Sequence, residues 1–333
     1  SSSTNGTLTW KGLTVGDGPS VGGTGMNSVA VGLSGNITSR GGDVLIWAGN
    51  GTTAATDNGI VLITNAKTLN AGLGNITLIT PRIGGYVLTA NTTGTFTWAP
   101  SSANDWGTAT WNGTTTSGTF STTSGTTFGN LSLANVASLG GLTLGYYNGM
   151  SQAGGAAYVL GMASDLFVNS PLAISGAYKL YGDTITVNAD LSSNATASSL
   201  MLTDYSDISL NGSFNQTNGS GSSLTISSGR GFIQASGVNI NASGNATLDV
   251  SVITNNRVGP TNWSNQTPGA ILGNITTNGG NISISSVSGG SVSTGLLAKV
   301  WPDLAADHAG VSIAGITDDY DGDLRSATPD IGA

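Results

Sequence analysis

The side chains able to do acid–base or metal chemistry in this chain are nearly all of one kind. The seventeen acidic residues are all Asp, there is one His, and there is no Cys. The densest set lies at the C-terminus. Asp319, Asp321 and Asp323 occupy positions 1, 3 and 5 of a loop whose position 12 is Asp330, the spacing with which an EF-hand surrounds calcium with oxygen. Two positions depart from that pattern: Leu324 stands where the sharp turn wants Gly, and Asp330 is one methylene shorter than the Glu that binds in bidentate fashion. The competing use of these carboxylates is a closing loop in which they accept backbone N–H bonds and one pairs with Arg325. The expectation is no cofactor, with calcium at this loop as the alternative.

Hydrolysis of a glycosidic bond needs two carboxylates facing each other across it. The nearest pairs are Asp183 with Asp190 and Asp204 with Asp207, and the latter flank Tyr205 in a polar stretch that reads as a turn. A lyase needs a base beside clustered carboxylates, yet Lys11, Lys67, Lys179, Arg230 and Arg257 are scattered. His308 has no nucleophile to serve, no Ser sits in a nucleophile-elbow context, and no phosphate loop or dinucleotide fingerprint occurs. No catalytic residue is assigned, and the expectation is a protein that is not an enzyme. A carbohydrate-active lyase or glycosidase is the rival of a different class.

A third chemistry is covalent. Asn-X-Ser/Thr acceptors for N-linked glycan occur at Asn5, Asn36, Asn50, Asn75, Asn91, Asn112, Asn130, Asn194, Asn211, Asn215, Asn218, Asn241, Asn245, Asn262, Asn265, Asn274 and Asn281. Composition alone would give roughly eight such sites, about half the number present. Five of them fall in one loosely repeated phrase and follow from it: Gly35–Asn36–Ile37–Thr38, Gly74–Asn75–Ile76–Thr77, Gly244–Asn245–Ala246–Thr247, Gly273–Asn274–Ile275–Thr276 and the near copy Gly280–Asn281–Ile282–Ser283. The cluster Asn211, Asn215, Asn218 and the pair Asn262, Asn265 do not.

Those residues must be positioned by β-structure. Charged residues are only 8% of the 333, too few to clothe helices, while Gly, Ser, Thr and Asn favour turns and strands. Apolar residues reach 38% and fall in short runs, and the net charge of −8 is small for this length, which argues against a disordered chain. Runs such as Val44–Leu45–Ile46, Ile60–Val61–Leu62–Ile63, Ile76–Thr77–Leu78–Ile79, Ile185–Thr186–Val187, Ile208–Ser209–Leu210, Leu224–Thr225–Ile226, Val238–Asn239–Ile240 and Leu248–Asp249–Val250 read as strands of three to five residues. In the repeated phrase, Gly or Asn would accept a left-handed bend, Ile would point inward and Thr outward, and stacked copies would set Asn residues in hydrogen-bonded ladders. The fold predicted is all-β: an elongated right-handed parallel β-helix, a β-solenoid, with a C-terminal cap. Rungs of roughly 20–25 residues spaced about 4.8 Å apart would make a rod of order 60–80 Å. Tandem β-sandwiches are the alternative.

Four segments follow. Residues 1–100 and 148–300 read as solenoid rungs. Residues 101–147 form a Thr/Ser/Gly-rich irregular β insert in which Trp106, Trp111, Phe120 and Phe128 recur. Residues 301–333, with seven Asp, are the acidic cap that covers the last open rung. Absence of Cys removes disulfides, no apolar run is long enough to span a membrane as a helix, and the acidic balance disfavours nucleic acid. Seven Trp, at 10, 47, 98, 106, 111, 263 and 301, either stack on sugars or fill rung interiors.

Several phrases resemble a known family. Gly41–Gly42–Asp43–Val44–Leu45–Ile46–Trp47–Ala48 and Gly74–Asn75–Ile76–Thr77–Leu78 look like rungs of filamentous-haemagglutinin-type surface adhesins of Gram-negative bacteria. Ser170–Pro171–Leu172–Ala173–Ile174–Ser175 and the stretch Tyr181–Gly182–Asp183–Thr184–Ile185 that follows are similar to a recurrent phrase of those adhesins. The tail Asp319–Tyr320–Asp321–Gly322–Asp323–Leu324–Arg325 with Pro329–Asp330–Ile331–Gly332–Ala333 resembles the closing motif of secreted right-handed parallel β-helix proteins. The resemblance implies an extracellular protein of the cell surface, structural and adhesive and without catalysis; the acceptor sites would make it a glycoprotein, and low charge, many Asn and Thr and open rung ends would allow a self-assembling filament subunit. Its partners would be copies of itself or surface glycans.

Overall fold

The computed structural model describes residues 12–16, 30–48, 60–80, 82–99, 108–122, 129–145, 165–256, 269–287, 292–295 and 297–298. Within them the protein is all-β, with 31 strands and a single 3-10 turn at Val136–Ser138. All the short runs predicted as strands lie in or at the edge of strands.

Ten strands make one long parallel sheet: Gly12–Gly16, Asp43–Trp47, Ile76–Ile79, Thr95–Ala99, Gly141–Leu144, Ala177–Gly182, Ser199–Asp204, Ser222–Ser227, Leu248–Thr254 and Ile282–Ser286. Between successive members the chain visits two other sheets and returns, except between Thr95–Ala99 and Gly141–Leu144, where it visits the twelve-stranded sheet alone. From Ala177 onward each pass runs through the long sheet, then a twelve-stranded sheet, then a six-stranded sheet. Thr184–Val187 and Leu191–Ser193 are one such pair of visits. In the first three passes the middle position belongs instead to a three-stranded sheet of Ala30–Leu33, Ile60–Ile63 and Arg82–Gly85, and the twelve-stranded sheet comes third.

The exchange happens across one antiparallel excursion. Gly129–Leu133 pairs parallel with Leu88–Thr92 and antiparallel with Gly118–Thr122, which pairs antiparallel with Thr108–Gly113, which pairs parallel with Asp165–Val168. Trp111 is fully buried there, its ring 4.7 Å from that of Phe120 and its Nε1–H donating to Pro171 O. Apolar and aromatic side chains thus hold the excursion, although most of its residues are Thr, Ser and Gly. Gly141–Leu144, from the same stretch, lies in the long sheet between Thr95–Ala99 and Ala177–Gly182.

Parallel register stacks like on like. Ile46, Leu78, Trp98, Leu144, Leu180, Leu202, Ile226 and Val252 occupy one column of the long sheet, each 1% exposed or less. Each such side chain removed from water contributes about 1.5–3 kcal/mol. In the neighbouring column Tyr178 stands among aliphatics, and its buried hydroxyl donates to Val136 O at 2.6 Å, tying the 3-10 turn to the sheet. Burial pushes that hydroxyl's pKa up to about 12.

The corners explain the repeated phrase, with one correction. Ile76 and Ile275 point inward at 0% exposure while Thr77 and Thr276 are half-buried outside, as predicted. The Gly, however, is not there for a left-handed bend. Of the five phrases only Gly244 has positive φ, at 61°. At Gly74 and Gly280 the reason is proximity: a Cβ would lie 2.3 Å from Gly42 O and 2.1 Å from Leu248 O. Backbones of adjacent passes approach so closely at this corner that Gly42, Gly74, Gly94, Gly140 and Gly176 form a register column.

Next to that column, and at the corners leading into the twelve- and six-stranded sheets, side-chain oxygens tie pass to pass. Asp43 Oδ1 accepts from Asn75 N–H and Asn75 Oδ1 from Thr95 N–H, both at 2.8 Å. Asn36 accepts from Thr68 N–H at 3.0 Å, Asp190 from Ser213 N–H at 2.8 Å, and Asp249 from Asn281 N–H at 2.7 Å. Each bond satisfies a corner amide that has left the sheet ladder. A true Asn ladder exists too, at Asn169, Asn188 and Asn211, with Nδ2 donating to Oδ1 at 2.8 and 2.9 Å.

Candidate functional site

The alternation Leu200, Leu202, Asp204 along Ser199–Asp204 turns Asp204 toward the interior just where the chain bends into Asp207–Leu210. Asp204 is 6% exposed. Its Oδ1 accepts the N–H of Gly229, in the next pass, at 3.1 Å, and its buried Oδ2 has no hydrogen-bond partner. Burial is the main cause of a carboxyl pKa held well above the ordinary carboxylate range. The charge of Asp183 adds to the rise, and the contacts to Ser228, Gly229 and Arg230 oppose it. Around this bend Ser206 Oγ donates to Asp183 Oδ1 at 3.3 Å, and Arg230 pairs with Asp207, its Nε at 2.9 Å from Asp207 Oδ1.

The sequence pairs separate here. Asp204 and Asp207 do flank a turn, but one faces the interior and the other is bound to a guanidinium. Asp183 and Asp190 stand at opposite ends of the strand Thr184–Val187, and Asp190 is occupied as a corner acceptor. The neighbours that the fold does bring together are Asp183 and Asp204, from successive passes. Sequence reasoning missed them because they are 21 positions apart, although the strand alternation carried the inward placement of Asp204. Asp319, Asp321, Asp323 and Asp330 lie outside the described residues, and among the described residues no three His, Cys, Asp or Glu side chains are grouped to hold a metal.

One groove, of about 330 Å3, opens beside the 3-10 turn and the tip of the antiparallel excursion. Thr115, Ser175, Ser192, Asn194 and Thr217 line it together with Ala137, Ala173 and Ile174. Its walls offer hydroxyls, an amide and methyl groups, with no ionisable side chain among them.

The glycan acceptors are all at the surface where their side chains are described. Asn36, Asn75, Asn112, Asn194, Asn211, Asn218, Asn245, Asn274 and Asn281 are exposed, and Asn91, Asn215 and Asn241 half-buried. Asn130 is placed only by its backbone, in Gly129–Leu133, and Asn5, Asn50, Asn262 and Asn265 lie outside the described residues. At Asn36 and Asn75 the ladder uses Oδ1, so Nδ2, the atom a glycan would modify, takes no part in it. At Asn211 it is Nδ2 that donates, to Asn188, whereas Asn91 uses Oδ1, accepting from Asn135. Of the seven Trp, the three described, Trp47, Trp98 and Trp111, are buried at 1% exposure or less and offer no stacking platform.

No protein-family model, curated protein sequence or solved structure matches this chain. Among the described residues no helix is long and apolar enough to cross a membrane.

Proposed function

We propose that this protein is an elongated right-handed parallel β-helix, closed by a C-terminal cap over residues 301–333, that serves as a non-catalytic structural and adhesive rod outside the cell. The observation that carries the reading is the pass-to-pass tie at the corners, where Asp43, Asn75, Asp190 and Asp249 each accept an amide of the next pass. A chain that stacks its own backbone and then secures each corner with a side chain gains axial stiffness. Glycans on the exposed corner asparagines would coat such a rod without breaking the Oδ1 bonds at Asn36 and Asn75. Calcium would bind at the acidic C-terminal loop. The carbohydrate-active alternative is disfavoured by Asp204, whose inward carboxyl cannot reach a polysaccharide lying on the surface.

Assembly into a filament is the second reading, and one gradient favours it. Ala270 and Ile275 are at most 1% exposed, whereas Val292 and Leu297, their sheet neighbours one pass later, are 44% and 37% exposed. Among the described residues, the last strands Ile282–Ser286, Val292–Ser293 and Leu297–Ala298 carry apolar residues, against which a second copy would stack in place of the cap.

The test is electron microscopy of the protein purified from its source, with intact mass on the same sample. Regular fibres with a mass well above 33.0 kDa per chain support the glycosylated filament, and short single rods at the unmodified mass support the monomeric rod. Compact particles that release products from a polysaccharide would overturn both.

A further inference from the structure

We propose that the bend joining Ser199–Asp204 to Asp207–Leu210 is a proton-operated latch, closed over successive passes while the Asp204 carboxyl is neutral and loosened when it ionises.

Gly182, Asp204, Ser228, Thr254 and Ser286 occupy the same inward corner position in five consecutive passes. Ser228 and Thr254 are fully buried hydroxyls that satisfy bend carbonyls: Ser228 Oγ lies 3.0 Å from Ser206 O and 2.8 Å from Gly231 O, and Thr254 Oγ1 lies 3.5 Å from Ser285 O. Asp204 is the one ionisable member. It and Ser228 lock the two bends reciprocally, Gly229 N–H donating to Asp204 Oδ1 while Ser228 reaches back to Ser206 O.

A neutral carboxyl keeps the acceptor for Gly229 N–H and puts no charge into this buried corner. An ionised one would leave a charge in the interior with Oδ2 unpartnered and only one backbone donor at Oδ1. The ionisable groups facing it come from three passes. Asp183, at the bend before Thr184, repels the charge. Arg230 attracts it but is already paired with Asp207. Tyr181 and Tyr205 flank the bend and bring no positive charge. Burial and Asp183 therefore hold the proton on in the folded state. Because the folded pKa lies above the unfolded value of 3.8, the stability contributed by the proton is complete below that value. It is lost as pH rises from there through the folded pKa. The inference does not depend on what the rod does outside the cell.

Hydrogen exchange of the Gly229 and Ser206 amides across pH 4 to 8, corrected for intrinsic rate, tests it on the full chain. In the native protein their protection is expected to fall about tenfold per pH unit until the folded carboxyl itself ionises, the slope of a one-proton linkage. Asp204→Asn keeps an acceptor and cannot ionise, so its profile is expected to be flat. Asp183→Asn removes the repelling charge, leaves Asp204 intact and is expected to end the descending limb at a lower pH, its starting point near the unfolded value being unchanged. This variant keeps the idea testable should Asp204→Asn not fold. A flat profile in the native protein, an unchanged slope in Asp204→Asn, or no displacement in Asp183→Asn overturns the latch.

Discussion

Two glycines that open the same four-residue phrase are predicted to respond oppositely to the same change. At Gly74 an added Cβ would sit 2.3 Å from Gly42 O and 2.5 Å from Gly42 C, both backbone atoms of the preceding pass. Carbon–oxygen contacts have a floor near 3 Å, so the two passes must part by most of an ångström, and no side-chain rotation can absorb that. Overpacking of a tight interior typically costs 1–3 kcal/mol, and a backbone-on-backbone clash belongs at the top of that range, so about 3 kcal/mol is expected for Gly74→Ala. At roughly 2–4 °C per kcal/mol for a domain approaching this size, Tm should fall by roughly 6–12 °C. At Gly35 nothing lies within 4 Å and φ is not positive, so Gly35→Ala should stay within about 0.5 kcal/mol. Gly41 separates the two causes: nothing lies within 4 Å, but φ is +83°, and Gly41→Ala should cost about 1–2 kcal/mol from backbone strain alone. Thermal unfolding followed by circular dichroism ranks the three. Equal losses at Gly35 and Gly74 would refute the close approach of passes as the reason for the phrase.

Other substitutions probe the remaining ties. Tyr178→Phe removes the shorter of the two hydroxyl bonds to the Val136 carbonyl, leaving that of Ser175, and should cost about 1 kcal/mol, with amide exchange rising first in Val136–Ser138. Asn188→Ala removes both rungs of the Asn169–Asn188–Asn211 ladder at an exposed corner, and chemical denaturation should register about 1 kcal/mol. Arg230→Ala breaks a pair whose partners are each more than a quarter exposed, so Tm should change by no more than the equivalent of about 1 kcal/mol, and less in high salt. If glycans are carried, Asn75→Gln should lower the intact mass by one glycan unit while leaving the strand Thr95–Ala99 in place.

How much of this was legible depended on range. Strands such as Val44–Leu45–Ile46 and Leu224–Thr225–Ile226 were readable because the period-two alternation is local. Inward Ile and outward Thr in Gly-Asn-Ile-Thr followed from the same rule. The role of the Gly was not readable, because the atom it avoids belongs to a residue 32 positions earlier, and a left-handed bend and a close approach leave the same letter in the sequence. Partners were hidden in the same way: Asp204 is answered by Gly229 and crowded by Asp183, and irregular pass lengths conceal which corners coincide. The exchange of sheets around Thr108–Gly113 was hidden for another reason. Its aromatics announced packing, but nothing in their spacing says which strands Trp111 and Phe120 will join.

The most direct test of the central claim is immunogold electron microscopy of intact source cells, using antibody raised against the folded 333-residue chain. The account predicts gold on the outer surface, at or along thin rods or fibres. Gold confined to the interior and seen only after permeabilisation would contradict an extracellular structural role.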